Sequence, residues 1–445
     1  MSARPRGPAG GQPPDPRFSP HASHTVSNAS MSQQPSHIVI GAGISGLSAA
    51  HYAARGGQTV HVLEADARPG GCMHTHSFPA LGGYWVEAGS HSCFNSYGNL
   101  LGIMEQLGIL ERATAKAKQS YRLWRGGQRK SIVSALHPFE LLRSLPKLFG
   151  ADKTGASVRE YYGTGLGAKN YRDLFGPAFR SVICQPPDDF PAEALFRKKP
   201  RRKDVLRSFT MPEGLGEIPR AIAETPGVQL TTSAIATAIE RDADGYAVTC
   251  ADGTRHRADW LTLAVAPDVA ATLLTDAAAE AAAIVAGIGM AEIDSQLLVL
   301  DKADLGVDAL AGFISVDGEF LSAVSRDFLA HPQLRGFAFH FPGGRLDEQA
   351  RIAAACRALD AQPERVRAAA CVRNRLPALR KGHGDQVTAL DRALAGGRLG
   401  LTGNWFLGVS IEDCVTRSRS EHERRFGALA DTISTAPATA TSPER

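Results

Sequence analysis

The sequence predicts an α/β fold that begins with a parallel sheet, and three observations support this class. A short apolar run, His37–Ile40, is followed by a glycine-rich turn and by a helix of small residues over Ser45–Arg55. A second apolar run, Thr59–Leu63, has the length of a buried strand. Further short apolar runs alternate with helical patterns through the rest of the chain. Because a strand–helix–strand unit joins two parallel strands, we expect a Rossmann-like sheet that carries α+β insertions.

The turn after the first strand has three glycines in a GxGxxG spacing, and an acid ends the second strand. Glycines let backbone amides approach a pyrophosphate, and the N-terminus of the following helix attracts negative charge. The acid can accept the hydroxyls of an adenosine ribose. This context predicts a bound dinucleotide. The residues that we expect around it are Gly41, Gly43, Ile44, Ser45, Gly46 and Glu64.

Length and composition indicate a folded protein of two or three lobes. The chain has 445 residues, of which 43% are hydrophobic and 21% are charged. A net charge of +4 does not suggest a nucleic-acid partner. Seven cysteines without a CxxC pair favour neither a disulfide framework nor a zinc module, so we expect no metal and a reducing, cytoplasmic location. No apolar run reaches the roughly 18 residues of a membrane-spanning helix.

Both ends of the chain are predicted to be disordered tails. Residues 1–35 are rich in Pro, Gly and Ser and lack the apolar core of a signal peptide. Met31 lies six residues before the first strand and is an alternative start of the protein. The second predicted tail is 431–445.

The residues after Glu64 separate FAD from NAD. They read Glu64-Ala65-Asp-Ala-Arg68-Pro-Gly70-Gly71, which resembles the E-x(3)-R-x-G-G signature of the FAD-dependent amine oxidase superfamily. The resemblance implies non-covalently bound FAD, with the arginine and the paired glycines along its phosphates and ribityl chain. It also implies that a segment after the next strand passes the flavin ring; that segment is Ala88, Gly89, Ser90 and His91.

A second block near the C-terminus strengthens the resemblance. The run from Gly403 to Val415 resembles the block that closes the FAD site of protoporphyrinogen and coproporphyrinogen oxidases, and Asn404 favours this branch over amine oxidases, which usually have an acid there. A helix that begins near Val409 would point its N-terminus at the flavin N1/O2 edge. The resemblance adds to the FAD site Ala234, Ile235, Ala264, Gly403, Asn404, Gly408, Val409, Ser410 and Ile411.

The order of elements predicts three lobes. A discontinuous FAD-binding domain comprises 36–95, 205–270 and 385–430. A helical substrate- or membrane-facing domain covers 96–204, and a mixed β-sheet substrate domain covers 271–384.

An amphipathic stretch and a cationic run leave membrane contact open. Leu136–Phe149 places leucines on one side of a helix, and Arg197–Lys203 holds six cations in seven residues. Together they are typical of a peripheral protein on the inner face of an anionic membrane. A core-facing helix and a solvated loop are the preferred interpretation. Whether the protein forms a homodimer is also open.

The resemblance implies hydride transfer from an sp3 carbon beside an electron-rich nitrogen to flavin N5, with reoxidation by O2. The leading hypothesis is a porphyrinogen oxidase of haem biosynthesis that acts on a small-molecule substrate. No catalytic residue is apparent. Ser90–Phe94 lacks the arginine that some family members use for a substrate propionate, so Phe94 and Arg180 become candidate substrate contacts, with Arg172 and Lys169 as further cations.

Two alternatives remain at this stage. One is an amine oxidase or desaturase of the same superfamily in specialised metabolism, which the missing arginine favours. The other is a flavin-binding scaffold at a membrane that is not an enzyme, which the cationic run would suit.

Overall fold

A computed structural model gives the structure of the chain and describes residues 35–429. The predicted tails, with Met31, lie outside the described residues except for Pro35. The described residues belong to one compact unit, and the division into three lobes stays a prediction.

The secondary structure of the described range is as follows. The strands are β1 (His37–Ile40), β2 (Val60–Leu63), β3 (Thr75–Phe78), β4 (Tyr84–Glu87), β5 (Cys93–Phe94), β6 (Thr114–Ala115), β7 (Tyr121–Arg125), β8 (Gln128–Lys130), β9 (Ser208–Thr210), β10 (Val228–Thr231), β11 (Ala236–Arg241), β12 (Tyr246–Cys250), β13 (Arg255–Ala258), β14 (Trp260–Leu263), β15 (Gly289–Asp301), β16 (Gly312–Ser315), β17 (Ser322–Ser325), β18 (Leu334–Pro342), β19 (Val366–Ala378) and β20 (Leu399–Leu401). The helices are α1 (Ile44–Arg55), α2 (Gly98–Gln106), α3 (Pro138–Ser144), α4 (Val158–Leu166), α5 (Ala168–Asn170), α6 (Gly176–Ile183), α7 (Glu217–Ala223), α8 (Pro267–Leu274), α9 (Ala279–Ala286), α10 (Glu348–Leu359), α11 (His383–Ala393) and α12 (Ile411–Phe426).

The first sheet has five parallel strands in the order β10-β2-β1-β14-β20. His37 of β1 is in register with Val60 of β2 on one side and with Trp260 of β14 on the other. Every residue of β1 and β2 is buried, including His37 and His61, and the other residues of both strands are apolar, as expected of strands covered on both faces. The predicted α/β class with a Rossmann-like parallel sheet is confirmed, and its strands come from three separate stretches of the chain.

Helix α12 joins this sheet to its surroundings. It packs against α1, where the Ser418 hydroxyl donates to the Ser45 carbonyl oxygen at 2.8 Å. The buried Glu412 carboxylate accepts the backbone N–H groups of Asn99 at 2.9 Å and Leu100 at 3.1 Å, the first turn of α2. A carboxylate at a helix N-terminus satisfies amides that have no partner within the helix. Glu412 therefore fixes α12 to α2.

The second large sheet has seven strands in the order β19-β15-β18-β17-β16-β7-β8. The sheet is mixed, because β16 and β7 are parallel while all other neighbouring strands of the sheet are antiparallel. Strands β7 and β8 come from the region that we predicted to be helical, so 96–204 is not helical throughout. A separate three-stranded antiparallel sheet, β11-β12-β13, lies between β10 and β14 along the chain, and Asp244-Gly245 and Asp252-Gly253 lie at its two turns.

The amphipathic stretch forms less helix than predicted. Helix α3 ends at Ser144, and a 3-10 turn follows because Pro146 lacks the N–H that an α-helix would use. Phe139, Leu142 and Phe149 are 89%, 74% and 83% exposed. The preferred interpretation of a core-facing helix is therefore wrong for these three side chains. They form an exposed apolar patch.

The cationic run is not simply a solvated loop. Lys199 pairs with Asp413 at 2.8 Å, and Arg202 pairs with Glu105 at 2.6 Å. Arg197 donates to the Leu407 carbonyl oxygen at 2.9 Å. These contacts hold part of the run against the start of α12. Separately, no helix within 35–429 is both long and apolar enough to cross a membrane.

Replacing Glu412 with Ala should lower the free energy of unfolding by about 1–3 kcal/mol, because two amides of α2 lose a buried acceptor. Urea denaturation measures the change. Glu423→Ala is the matched control on the same helix, since its ion pair with Arg419 is partly exposed and contributes at most about 1 kcal/mol. Equal losses for the two variants would contradict the role given to Glu412.

Candidate active site

The glycine turn after β1 is closed tightly against the end of β14. Gly41 has φ +99°, and a Cβ there would lie 2.6 Å from the Ala264 carbonyl oxygen. A Cβ at Gly46 would overlap the Gly41 carbonyl oxygen. A side chain at either position would clash with backbone, which cannot yield as a flexible side chain does. These two glycines and Ala264 therefore form one close backbone junction.

Gly43 differs from its neighbours in the turn. Its backbone is extended, at φ −68° and ψ 173°, and no atom lies within 4 Å of the position that a Cβ would take. It directly precedes α1, whose first residues, Ile44 and Ser45, are buried. The turn thus leaves open space at a helix N-terminus, where amide groups and the helix dipole favour an anion. The residues present fit a pyrophosphate.

Glu64 lies beside this turn at the end of β2. Its carboxylate accepts the Ala42 N–H at 2.5 Å and the Asp66 N–H at 2.8 Å. Burial raises the pKa of Glu64, and these two hydrogen bonds oppose that rise. Ala234 donates its N–H to the Glu64 carbonyl oxygen at 2.8 Å. Ala65 and Ile235 are exposed on the same side of the sheet end.

The predicted phosphate and ribityl segment packs on the glycine turn. The Gly70 N–H donates to the Ala42 carbonyl oxygen at 2.8 Å, and Gly70 forms a parallel bridge with Gly43. The Arg68 guanidinium donates to the carbonyl oxygens of Pro69 at 3.2 Å and Gly71 at 3.1 Å. Arg68 is therefore held over the paired glycines, next to the open space.

The segment predicted to pass the flavin lies against the residue that follows Gly71. A Cβ at Gly89 would overlap the Cys72 carbonyl oxygen, which also accepts the Ser90 N–H at 2.9 Å. Ala88 donates its N–H to the His74 carbonyl oxygen at 2.8 Å. The segments are therefore in contact one after another, with Gly70 beside Gly43 and Ala88–His91 beside Cys72 and His74.

The C-terminal block closes the same edge of the parallel sheet. After β20 the Trp405 indole N–H donates to the Val265 carbonyl oxygen at 3.1 Å, which joins this loop to the one after β14. Helix α12 begins at Ile411, two residues later than predicted, because Ser410 caps it by accepting the Asp413 N–H at 3.2 Å. The half-buried residues of this loop that we predicted at the FAD site are Asn404, Val409 and Ser410, whereas Gly403 and Gly408 are buried.

A polar row on the seven-stranded sheet was not predicted. The Asn374 side-chain amide donates to the Ala88 carbonyl oxygen at 2.9 Å and to the Ser295 hydroxyl at 3.0 Å. The Ser295 hydroxyl lies 2.9 Å from His340 Nδ1. The sequence signal was weak but present, since Ser295 and His340 interrupt otherwise apolar strands. The row connects the seven-stranded sheet to the predicted flavin segment.

Lys116 was also missed, because it lies in a loop without a motif. Its ammonium group donates to the His91 carbonyl oxygen at 2.7 Å and to the Ser92 hydroxyl at 2.5 Å, and it lies 3.9 Å from the centre of the Phe328 ring. Burial lowers the pKa of Lys116 to about 8. The predicted flavin segment is therefore in direct contact with a cation that is held by hydrogen bonds at His91 and Ser92.

The two predicted substrate contacts, Arg180 and Phe94, already have partners within the protein. Arg180 donates to the carbonyl oxygens of Ser315 and Val316, which fixes its guanidinium to the end of β16. Phe94 is 39% exposed and packs edge-on against Tyr97. Of the other cations, Arg172 pairs with Asp173 at 2.8 Å and Lys169 is exposed.

Comparison with known proteins gives a family match. The model of the flavin containing amine oxidoreductases matches residues 44–294, more than half of the chain. An L-amino-acid oxidase of Daboia russelii is 63% identical over 43 residues, which are 9% of this chain and 8% of that protein. The chain therefore aligns with less than a tenth of the length of that relative.

Several solved structures have the same fold. A protein from Exiguobacterium sp. 255-15, named "putative protoporphyrinogen oxidase", has a TM-score of 0.70 at 17% identity over 87% of this chain and 97% of its own. Putrescine oxidase bound to putrescine has a TM-score of 0.63 at 14% identity over 88% and 98%. Reduced UDP-galactopyranose mutase has a TM-score of 0.64 at 15% identity over 88% and 95%. At these identities the likeness shows the fold, and the family match makes FAD the cofactor.

Replacing Gly43 with Val should abolish FAD retention while the protein still folds. The new side chain meets no protein atom near its Cβ and fills the space that we assign to the pyrophosphate. Flavin absorbance per mole of purified protein measures retention. Gly102→Val in α2 is the control, since that position is also open but far along the chain from the turn. A yellow Gly43 variant would refute this placement of the phosphates.

Replacing Glu87 with Gln should stabilise the protein relative to wild type as the pH rises. Burial raises the pKa of Glu87 to about 7 from the value of 4.5 expected in the unfolded chain. The wild type then loses roughly 3 kcal/mol of stability between these pH values, at about 1.4 kcal/mol per unit, and the glutamine does not. Urea unfolding at pH 5 and pH 8 measures the difference. Glu364→Gln, at an exposed position, should show none.

Proposed function

The chain belongs to the flavin containing amine oxidoreductases and is an FAD-dependent oxidoreductase, and we propose that its substrate is a porphyrinogen, protoporphyrinogen IX or coproporphyrinogen III. The observation that carries this proposal is the charge beside Ala88–His91. Lys116 supplies a half-buried cation there, whereas Glu87 already accepts from the Thr75 hydroxyl and the Leu215 N–H. A substrate with carboxylates finds a complementary charge in Lys116.

We assign FAD to the open space beside Gly43, Glu64 and Arg68, with its ring toward the Ala88–His91 segment. Bound FAD supplies the hydride acceptor, flavin N5. The N-terminus of α12, which begins at Ile411 after the N-cap residue Ser410, would favour negative charge at the edge of the flavin ring. Asn404, in place of the acid usual in amine oxidases, agrees with this reading of the block.

The remaining work of the chain is to position the substrate. Lys116 holds the His91–Ser92 loop in place through two hydrogen bonds, and Asn374 holds Ala88 through one. A porphyrinogen becomes aromatic after three two-electron oxidations, so the ring system must be presented to the same segment three times. Rigid support of that segment favours repeated presentation, because a fixed geometry removes entropy that each encounter would otherwise cost.

The second candidate is an amine oxidase or a desaturase. The family match and the putrescine oxidase neighbour favour it, as does the absence of an arginine in Ser90–Phe94. It requires an anionic partner or a wholly apolar pocket for the substrate. A carboxylate free to bind an ammonium group would be the feature to find beside the flavin.

We further propose O2 as the electron acceptor and contact of the protein with a membrane surface. The exposed apolar patch of Phe139, Leu142 and Phe149 lies beside two cations of the same stretch, Arg143 and Lys147. Apolar side chains flanked by cations suit an anionic bilayer surface.

Anaerobic mixing of the FAD-loaded protein with coproporphyrinogen III or protoporphyrinogen IX should bleach the flavin band at about 450 nm. The Gly43→Val protein, prepared in the same way, controls for signal from unbound flavin. Putrescine and an L-amino acid, tested in parallel, should leave the band unchanged. If an amine bleaches the flavin and neither porphyrinogen does, the amine oxidase candidate replaces this proposal.

A further inference from the structure

Three neighbouring strands place a serine, a histidine and an asparagine together inside the protein. Ser295 of β15 is directly opposite His340 of β18, and Asn374 of β19 pairs with the position two residues before Ser295. Ser295 is fully buried and His340 is 5% exposed. The same sheet face continues with the apolar Leu297 and Ala338, so the polar row is local.

The hydrogen bonds determine which imidazole nitrogen carries the proton. Asn374 Nδ2 faces the Ala88 carbonyl oxygen, which can only accept, so this atom is the amide nitrogen. The same nitrogen donates to the Ser295 hydroxyl. Because this nitrogen cannot accept, His340 Nδ1 is the acceptor left for the hydroxyl hydrogen of Ser295. Nδ1 is therefore an acceptor, and the neutral ring carries its proton on Nε2.

The Nε2–H group has no protein partner among residues 35–429. His340 makes its side-chain hydrogen bond through Nδ1, and Nε2 is not among the fully enclosed polar atoms. Burial lowers the pKa of His340 to about 4, which keeps the ring neutral at physiological pH. A donor held in one orientation and without a protein acceptor is available to the acceptor atom of a ligand.

The charge of the neighbourhood favours an anionic acceptor. Burial and the positive charge of Lys116 hold the pKa of His91 well below its usual range, at about 3, so the ring of His91 is neutral as well. Lys116 is tied to the His91–Ser92 loop and adds positive potential without being free to move. Asp294, on the neighbouring position of β15, is already paired with Arg373 at 2.8 Å and Arg351 at 3.4 Å.

We propose that His340 Nε2–H binds a carboxylate oxygen of the substrate, with Ser295 and Asn374 as positioning residues that hold the donor tautomer. The proposal rests on the proposed function, because a porphyrinogen presents propionate carboxylates. It supplies the carboxylate contact that Arg180 does not provide, since that guanidinium is tied to backbone carbonyl oxygens.

Titration of the oxidised, FAD-loaded protein with propionate tests the proposal without turnover. Propionate should perturb the flavin absorbance saturably, and propionamide should not. His340→Leu should weaken propionate binding roughly tenfold or more, the range expected for one hydrogen bond to a charged group. His340→Gln, which keeps an N–H near the same point, should recover part of it. Ser322→Ala is the control, since Ser322 lies opposite His340 on β17 but is not part of the polar row of Ser295, His340 and Asn374.

A second measurement begins with the wild-type protein, so its main result does not depend on the folding of a variant. ¹⁵N NMR of the wild-type histidines should show the Nε2–H tautomer for His340, and Ser295→Ala should shift it toward a mixture. Equal propionate affinity in wild type and His340→Leu, or an Nδ1–H tautomer in wild type, would overturn the proposal. A His340→Leu protein that loses FAD affinity and has unchanged propionate affinity would assign the donor to the flavin and also overturn it. Failure of porphyrinogens to bleach the flavin, with propionate binding intact, would count against the proposed function alone.

Discussion

The structure depends on a backbone junction at which side chains are excluded. Gly41 and Gly46 bring the turn after β1 within contact of the Ala264 carbonyl, and the parallel sheet can be completed only because no Cβ intervenes. The Arg68–Gly71 segment rests on this junction, and the Gly89 segment rests on Cys72 in turn. One short-range steric requirement thus sets the positions of chain segments that are far apart in sequence.

The part of the site that could be predicted from the sequence is the part with local requirements. The residues from Gly41 to Gly71 follow one another along the chain, so their spacing alone indicates a cradle for phosphates. The polar row of Ser295, His340 and Asn374 could not be found in this way. It exists because strands 45 and 79 residues apart pair in one particular register, which sequence periodicity does not specify.

The same distinction explains the outcome for the amphipathic stretch. Its pattern groups the leucines on one side of a single helix, but α3 ends at Ser144, and periodicity does not indicate what covers a face. Phe139 and Leu142 remain exposed because no other described element packs over them. Arg180 illustrates the converse, since a cation that looked free in the sequence is occupied by carbonyl oxygens at the end of a strand.

The strand order of the parallel sheet also has a consequence for biosynthesis. Strand β1 lies at the centre of the sheet, but the edge strand β20, which pairs with β14, is synthesised some 360 residues later, and helix α12 follows it. During translation, β14 therefore has an unpaired edge until residues 399–401 have left the ribosome. The predicted C-terminal part of the FAD site, from Gly403 to Ile411, is therefore the last part of that site to be synthesised, long after the glycine turn that follows β1.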